Sequence, residues 1–90
     1  MERYNITRND VKDILDYADN QWNIQLAHYG DGIFVSSHEI LGVLTEEIRE
    51  FENAVQSNDL YKITEELTDI LIVALHGLAS VKSKKMDWPK

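Results

Sequence analysis

Four carboxylates stand in two matching pairs along the chain. Glu47 and Glu50 are three residues apart, and so are Glu66 and Asp69. On a helix, side chains at positions i and i+3 face the same way, so each pair presents two carboxylates to one side. A set of oxygen ligands without sulfur or nitrogen suits a hard divalent cation, Mg²⁺ or Mn²⁺. The spacing therefore points to a metal site assembled from two helices.

These carboxylates break the amphipathic pattern of their helices. When residues 38–55 are placed on a helix, the apolar arc is centred on Leu44, Glu47 falls inside it and Glu50 lies at its border. Glu66 interrupts the apolar arc of the next helix in the same way, with Asp69 beside it. Like charges on an apolar face repel and lose hydration, so they must be protonated or paired with a cation. Besides Leu44, the first arc holds Ile40, Leu41, Ile48, Phe51 and Val55.

A plainer interpretation is that these acids pair with Lys or Arg across a helix interface. It is the better explanation for a single glutamate, but two matching pairs on successive helices favour a metal. The other acids are interpreted as a solvated face; they include Glu46, Glu52, Glu65, Asp10, Asp13 and Asp16.

Composition narrows the possible classes of protein. Ninety residues make a single domain, here residues 1–90, and a chain this short favours an oligomer. The net charge of −7 argues against a nucleic-acid partner. The absence of cysteine excludes disulfides, Cys-ligated zinc and thiol nucleophiles. The N-terminus is polar, and the longest uninterrupted apolar segment, residues 70–75, is too short to span a membrane. Both features predict a soluble cytoplasmic protein.

Three helices are predicted, over residues 7–28, 38–55 and about 60–84. Thr7 or Asn9 could cap the first helix. Ser36 and Glu39 have the spacing of a capping box before the second. Asp59 follows a short turn and could cap the third. Residues 29–35, with two glycines, should form a loop, and few Gly or Pro elsewhere favour an all-α fold.

The two pairs also resemble a known signature. Glu47-Ile-Arg-Glu50 and Glu66-Leu-Thr-Asp69 are similar to the E-x-x-E and E-x-x-D halves that mark the MazG-like all-α nucleotide pyrophosphohydrolase superfamily. Fifteen residues separate the halves, and each half begins with a double glutamate. The resemblance covers about residues 36–82, and residues 36–47 are similar to small MazG-like proteins carried by phages.

The resemblance implies a MazG-like helical bundle of three main helices per chain, completed by dimerisation or tetramerisation. It implies hydrolysis of ribo- or deoxyribonucleoside triphosphates to monophosphate and pyrophosphate, as nucleotide-pool housekeeping. Glu47, Glu50, Glu66 and Asp69 would bind Mg²⁺, with Mn²⁺ as a possible substitute. Glu47 and Glu50 would be the catalytic residues, and Glu50 or Glu46 is the candidate general base.

The resemblance also suggests residues for the rest of the nucleotide. Phosphate contacts would come from lysines after the second half, Lys82, Lys84 and Lys85, although these residues could equally complement the dipole at a helix C-terminus. Base contacts would come from the first helix, at Asn20, Gln21 and Trp22. Trp22 also lies on the apolar stripe of that helix, where it could belong to the core.

Two other functions stay open. The chain could be a non-catalytic MazG-like dimer that binds a nucleotide or a protein partner, or a purely structural bundle. A di-iron bundle is disfavoured because no histidine follows a glutamate by three residues. Residues 70–79 are apolar almost all round, which predicts a subunit interface made by the second and third helices of two chains.

Overall fold

A computed structural model of the chain describes residues 5–29 and 32–84. Within these ranges the chain forms three helices and no strand: α1 (Arg8–Tyr29), α2 (Ser37–Ser57) and α3 (Leu60–Ser83). The all-α class is therefore confirmed. Contacts divide the chain into two units, Met1–Asp31 and Gly32–Lys90. No helix in the described residues is both long and apolar enough to cross a bilayer.

Thr7 caps the first helix. Its hydroxyl accepts a hydrogen bond from the Asp10 N–H at 3.2 Å, and its own N–H donates to the Asp10 carboxylate at 2.8 Å. This reciprocal pair satisfies two donors at the start of the helix. The bonds from the Thr7 backbone and side chain hold the pKa of Asp10 below its ordinary value. Of the two predicted caps, Thr7 is the one the chain uses.

The ends of α2 and α3 follow from their capping residues. The Ser36 hydroxyl accepts from the Glu39 N–H at 3.3 Å, as the capping-box spacing predicts. Helix α2 ends at Ser57, two residues beyond the predicted limit, and Asn58 follows in the left-handed conformation at φ 56°. Asp59 then accepts from the N–H groups of Tyr61 and Lys62 and starts α3. A two-residue turn therefore folds α3 back along α2.

Helices α2 and α3 pack closely against each other. Gly77 on α3 lies against Ile40 on α2, so near that a Cβ on Gly77 would meet Ile40 Cγ2 at 3.2 Å. Ala54 and Ile72 are buried in the same unit. The contact at Gly77 and the turn at Asn58 fix the register of the two helices.

The buried face of α2 differs from the arc that the sequence predicts. Leu41, Ile48 and Val55 are 62%, 46% and 48% exposed, although the predicted arc contains them. Residues on the other side of Leu44, among them Glu47 and Ala54, turn inward instead. The arc centred on Leu44 is therefore displaced towards Glu47. The reason is that the most apolar side of a helix need not be the side that its own chain covers.

The segment that precedes α2 is fastened to α3. The Phe34 N–H donates to the Ser80 hydroxyl at 3.0 Å, and His76 Nε2 donates to the Gly32 carbonyl at 2.7 Å. The rings of Phe34 and His76 meet edge to face, with centroids 5.0 Å apart. Ser80, only 1% exposed, also donates to the His76 carbonyl. These contacts hold residues 32–34 on the end of α3 farthest from the turn.

Candidate metal centre

Helices α2 and α3 bring three of the four predicted carboxylates together. Glu47, Glu66 and Asp69 each offer one oxygen, and these oxygens all lie within 4.8 Å of one another. The three side chains are half-buried. The i,i+3 spacing puts Glu66 and Asp69 on one face of α3, and the register of the two helices sets Glu47 opposite them. The group is referred to below as the carboxylate cluster.

Glu50, the fourth predicted carboxylate, lies beside the cluster and is exposed. Its charge raises the pKa values of Glu47, Glu66 and Asp69, which shows that it is close to all three. It also lines a neighbouring cavity. Glu50 therefore borders the cluster on its open side.

The electrostatics of the cluster are those of crowded acids. Burial raises the pKa of Glu47 to about 7, and the charges of Glu50, Asp69 and Glu66 act in the same direction. Because desolvation and like charges both disfavour a carboxylate, the proton is held at far higher pH than usual. Without a cation, Glu47 is partly protonated at neutral pH.

The two carboxylates on α3 are perturbed in the same way. Burial raises the pKa of Glu66, and its hydrogen bond with Glu50 and the charges of Glu50 and Asp69 raise it further. Burial also raises the pKa of Asp69, followed by the charges of Glu65 and Glu50. The charges that raise these values belong to other carboxylates. A bound cation would offset the repulsion among these carboxylates.

Two oxygens in the cluster are orphaned. Glu47 Oε2 and Glu66 Oε2 are both buried, and neither has a hydrogen-bond partner in the described part of the chain. A buried carboxylate oxygen without a partner is costly, so the plainer interpretation, a salt bridge to Lys or Arg, does not account for these two atoms. The donor set is all oxygen and its charge is negative. It fits a hard divalent cation.

A cavity of about 370 Å³ opens next to the cluster. Glu50 and Glu66 line the cavity beside the cluster, and Lys62 lines it one helical turn before Glu66. Among the described residues the cavity is lined by Glu50, Asn53, Ala54, Ser57, Lys62, Glu65 and Glu66. Lys62 is not among the site residues predicted from the sequence. The available signal was its position four residues before Glu66, which places both side chains on one face of α3.

The other predicted site residues belong to α1 and to the C-terminal end of α3 and the residues after it. Lys82 and Lys84 are exposed at the C-terminal end of α3. Lys82 is thirteen residues beyond Asp69, or about 20 Å along the helix axis. Lys85 lies outside the described residues. Asn20, Gln21 and Trp22 lie on α1, in the unit Met1–Asp31.

Comparison with known families identifies the class of this fold and its site. The family model of the MazG nucleotide pyrophosphohydrolase domain matches residues 35–88, more than half of the chain and all of the carboxylate cluster. The chain belongs to this family, whose members act on nucleotides. Comparisons with curated proteins and with solved structures give no significant match.

Proposed function

We propose that the chain is a Mg²⁺-dependent nucleoside triphosphate pyrophosphohydrolase that converts ribo- or deoxyribonucleoside triphosphates to monophosphates and pyrophosphate. The observation that carries the proposal is the pair of buried, unpartnered oxygens on Glu47 and Glu66, next to Asp69 and within the matched segment. A cation would compensate these atoms, and the family acts on nucleotides, which are anionic. A divalent ion shared by both satisfies the two requirements together.

Glu47, Glu66 and Asp69 would hold the ion, with Glu50 completing the set from the open side. Mn²⁺ offers the same preference for oxygen ligands. When bound, such an ion neutralises charge on the phosphates and increases the acidity of water at the site. Because the pKa values of Glu47, Glu66 and Asp69 are raised, the ion competes with protons for these three carboxylates.

Glu50 is the residue best suited to accept the proton of the attacking water. It is exposed and borders both the cluster and the cavity, whereas Glu47 has an oxygen turned into the buried cluster. In the proposed reaction the water oxygen bonds to the α-phosphorus, and the bond to the α,β-bridging oxygen breaks. Pyrophosphate leaves with the electron pair. The Glu50 carboxylate takes the proton of the water, and Glu47 acts by holding the ion.

The remaining contacts are proposals that follow from the family. Asn20, Gln21 and Trp22 on α1 would contact the base, and Lys82, Lys84 and Lys85 remain candidates for the phosphates. The reaction belongs to the cytoplasm, where the nucleotide pool is found, and its purpose would be to remove surplus or non-standard nucleotides. The proposal that it removes surplus or non-standard nucleotides follows from analogy with the family.

A homodimer or homotetramer would complete the bundle. An exposed apolar stripe, Leu41, Ile48 and Val55 on α2 with Leu67 and Leu78 on α3, supports this proposal. Exposed apolar surface of this extent on so small a unit marks an interface, and a second α2–α3 pair would make a four-helix layer. Light scattering on the purified chain tests it, because a monomer at micromolar concentration would contradict it.

The test of the proposed function is pyrophosphate release from a panel of ribo- and deoxyribonucleoside triphosphates with Mg²⁺ or Mn²⁺. Wild type is compared with Glu47→Gln and Glu66→Gln, and with Glu52→Gln as a matched control at an exposed acid outside the cluster. We expect release that needs the ion, survives in Glu52→Gln and disappears in the other two variants. A folded protein that releases pyrophosphate from no nucleotide would leave the non-catalytic binding function instead.

A further inference from the structure

One cationic residue of the described part of the chain lines the cavity beside the carboxylate cluster. Lys62 shares this lining with Glu50, Glu65 and Glu66, and with two neutral polar residues, Asn53 and Ser57. Its backbone is fixed, because the Lys62 N–H donates to the Asp59 carboxylate at the start of α3. Its side chain is exposed. A lysine in this position offers a positive charge to whatever enters the cavity.

The plainer role for Lys62 is an ion pair with a neighbouring glutamate on α3. Glu66 is at i+4, but the order Lys then Glu is the weaker one for such helix pairs. Within the described ranges, Lys62 forms no salt bridge. Its ammonium group is therefore available to a ligand.

The spacing along α3 matches the length of a triphosphate. From Glu66 back to Lys62 the helix rises about 6 Å, roughly the span of two phosphoanhydride links. With the α-phosphorus at the cluster, the γ-phosphate of a nucleotide that extends into the cavity comes to the Lys62 end. A diphosphate extended in the same way has no group there.

We propose that Lys62 binds the γ-phosphate and so selects nucleoside triphosphates over diphosphates. The inference rests on the proposed function, since it takes the carboxylate cluster as the place of the reacting phosphorus. Lys62 acts on affinity for the terminal phosphate, which the attacking water does not touch. A lysine is suited to this task because a compact ammonium group contacts a phosphate from several directions.

The test compares binding of α,β-methylene-ATP and α,β-methylene-ADP, which resist cleavage, by calorimetry with Mg²⁺. Wild type should prefer the triphosphate by about tenfold, the scale of one charge-assisted hydrogen bond at an open site. Lys62→Met, which keeps the length of the side chain and removes its charge, should reduce the preference to within about twofold by weakening the triphosphate alone. Lys62→Arg should retain it. Arg49→Met removes a positive charge from an exposed position on α2 outside the cavity lining and should alter neither ligand.

The outcomes separate this inference from the proposed function. A Lys62→Met protein that keeps the preference, or that loses affinity for both ligands equally, overturns the role of Lys62 even if wild type hydrolyses nucleotides. A preference that depends on Lys62 in a wild type without any hydrolysis supports Lys62 and overturns the catalytic function. If wild type binds neither these adenine analogues nor the corresponding analogues of any other base in the panel, both are overturned.

Discussion

Glu47 on α2 and Glu66 on α3, nineteen positions apart in the chain, bring carboxylate oxygens within 4.8 Å of each other. Each also has a buried Oε2 atom that no donor of the described residues reaches. If the only role of these residues were to stabilise the packing of α2 on α3, apolar residues of similar volume would serve better, because they would not repel each other. The contact makes chemical sense when a cation occupies it.

The metal-free protein should become more stable when one of these charges is removed. Glu47→Gln keeps the shape of the side chain and relieves the repulsion from Glu50, Asp69 and Glu66. Measured by thermal unfolding in EDTA at pH 8, its Tm should rise by a few degrees, about the shift that 0.5 kcal/mol causes in a small domain. Glu52→Gln, at an exposed position on α2, is the control and should change Tm little. A Glu47→Gln protein less stable than wild type without metal would contradict the repulsive cluster.

The stability of the metal-free protein should fall as pH rises. Glu47 has its ordinary pKa of 4.5 in the unfolded chain and a pKa of about 7 in the folded one. Between these values the folded state keeps a proton that the unfolded state has released. Raising the pH through this window therefore favours unfolding, and the stabilisation present below 4.5 is lost by the time the pH passes 7.

Added Mg²⁺ should reverse this trend, because the ion binds the deprotonated carboxylates. Urea unfolding at pH 5.5 and at pH 8, with and without Mg²⁺, checks both signs. The stabilisation by Mg²⁺ should be greater at pH 8, and Glu47→Gln should show a weaker dependence on pH. Metal-free stability that rises between the two pH values would rule out a raised pKa at Glu47.

Two glycines within the helices should respond differently to alanine. A Cβ on Gly42, in the middle of α2, meets nothing within 4 Å, so Gly42→Ala should stabilise the protein by about 0.5–1 kcal/mol through helix propensity. Gly77→Ala gains the same propensity but places its Cβ 3.2 Å from Ile40 Cγ2. Urea unfolding should show Gly77→Ala below Gly42→Ala by about 1 kcal/mol or more. Equal gains at both positions would mean that the helices do not approach closely at Gly77.

Ser80→Ala should loosen the segment before α2. The substitution removes the hydroxyl that accepts from the Phe34 N–H and leaves that partly buried donor without its partner, at a cost of about 1–3 kcal/mol. Hydrogen exchange at the Phe34 amide should accelerate together with a fall in Tm. Thr45→Ala is the control, because the Thr45 hydroxyl donates to the Leu41 carbonyl within its own helix. Unchanged exchange at Phe34 in Ser80→Ala would show that the hydrogen bond does not hold the segment.

Features that depend on local spacing could be predicted from the sequence. Thr7, Ser36 and Asp59 cap helices because a side-chain oxygen reaches an N–H two or three residues ahead, whatever the rest of the fold does. The carboxylate pairs were recognisable for the same reason. Their i,i+3 spacing places both members on one face of a helix before any tertiary contact forms.

Features that depend on contacts between distant segments could not be predicted from the sequence. His76 and Ser80 hold residues more than forty positions away, and no periodicity in the sequence indicates such a bond. The sequence predicts a buried face of α2 centred on Leu44, but the structure buries a face displaced towards Glu47. A helical projection identifies the most apolar side of a helix, which is not always the side that the rest of the chain covers. Lys62 shares a helix face with Glu66, but only the packing of α2 against α3 forms the cavity that both residues line.

The claim on which the function depends most is that the carboxylate cluster holds a divalent ion. Mn²⁺ binding followed by electron paramagnetic resonance at pH 8 tests it directly, because free Mn²⁺ gives a sharp signal that is lost when the ion is bound. Wild type and Glu52→Gln should bind Mn²⁺ and release it to excess Mg²⁺, and Glu66→Gln should bind at least about tenfold more weakly. Mn²⁺ binding that is equally strong in Glu66→Gln, or absent from folded wild-type protein, would contradict the metal site.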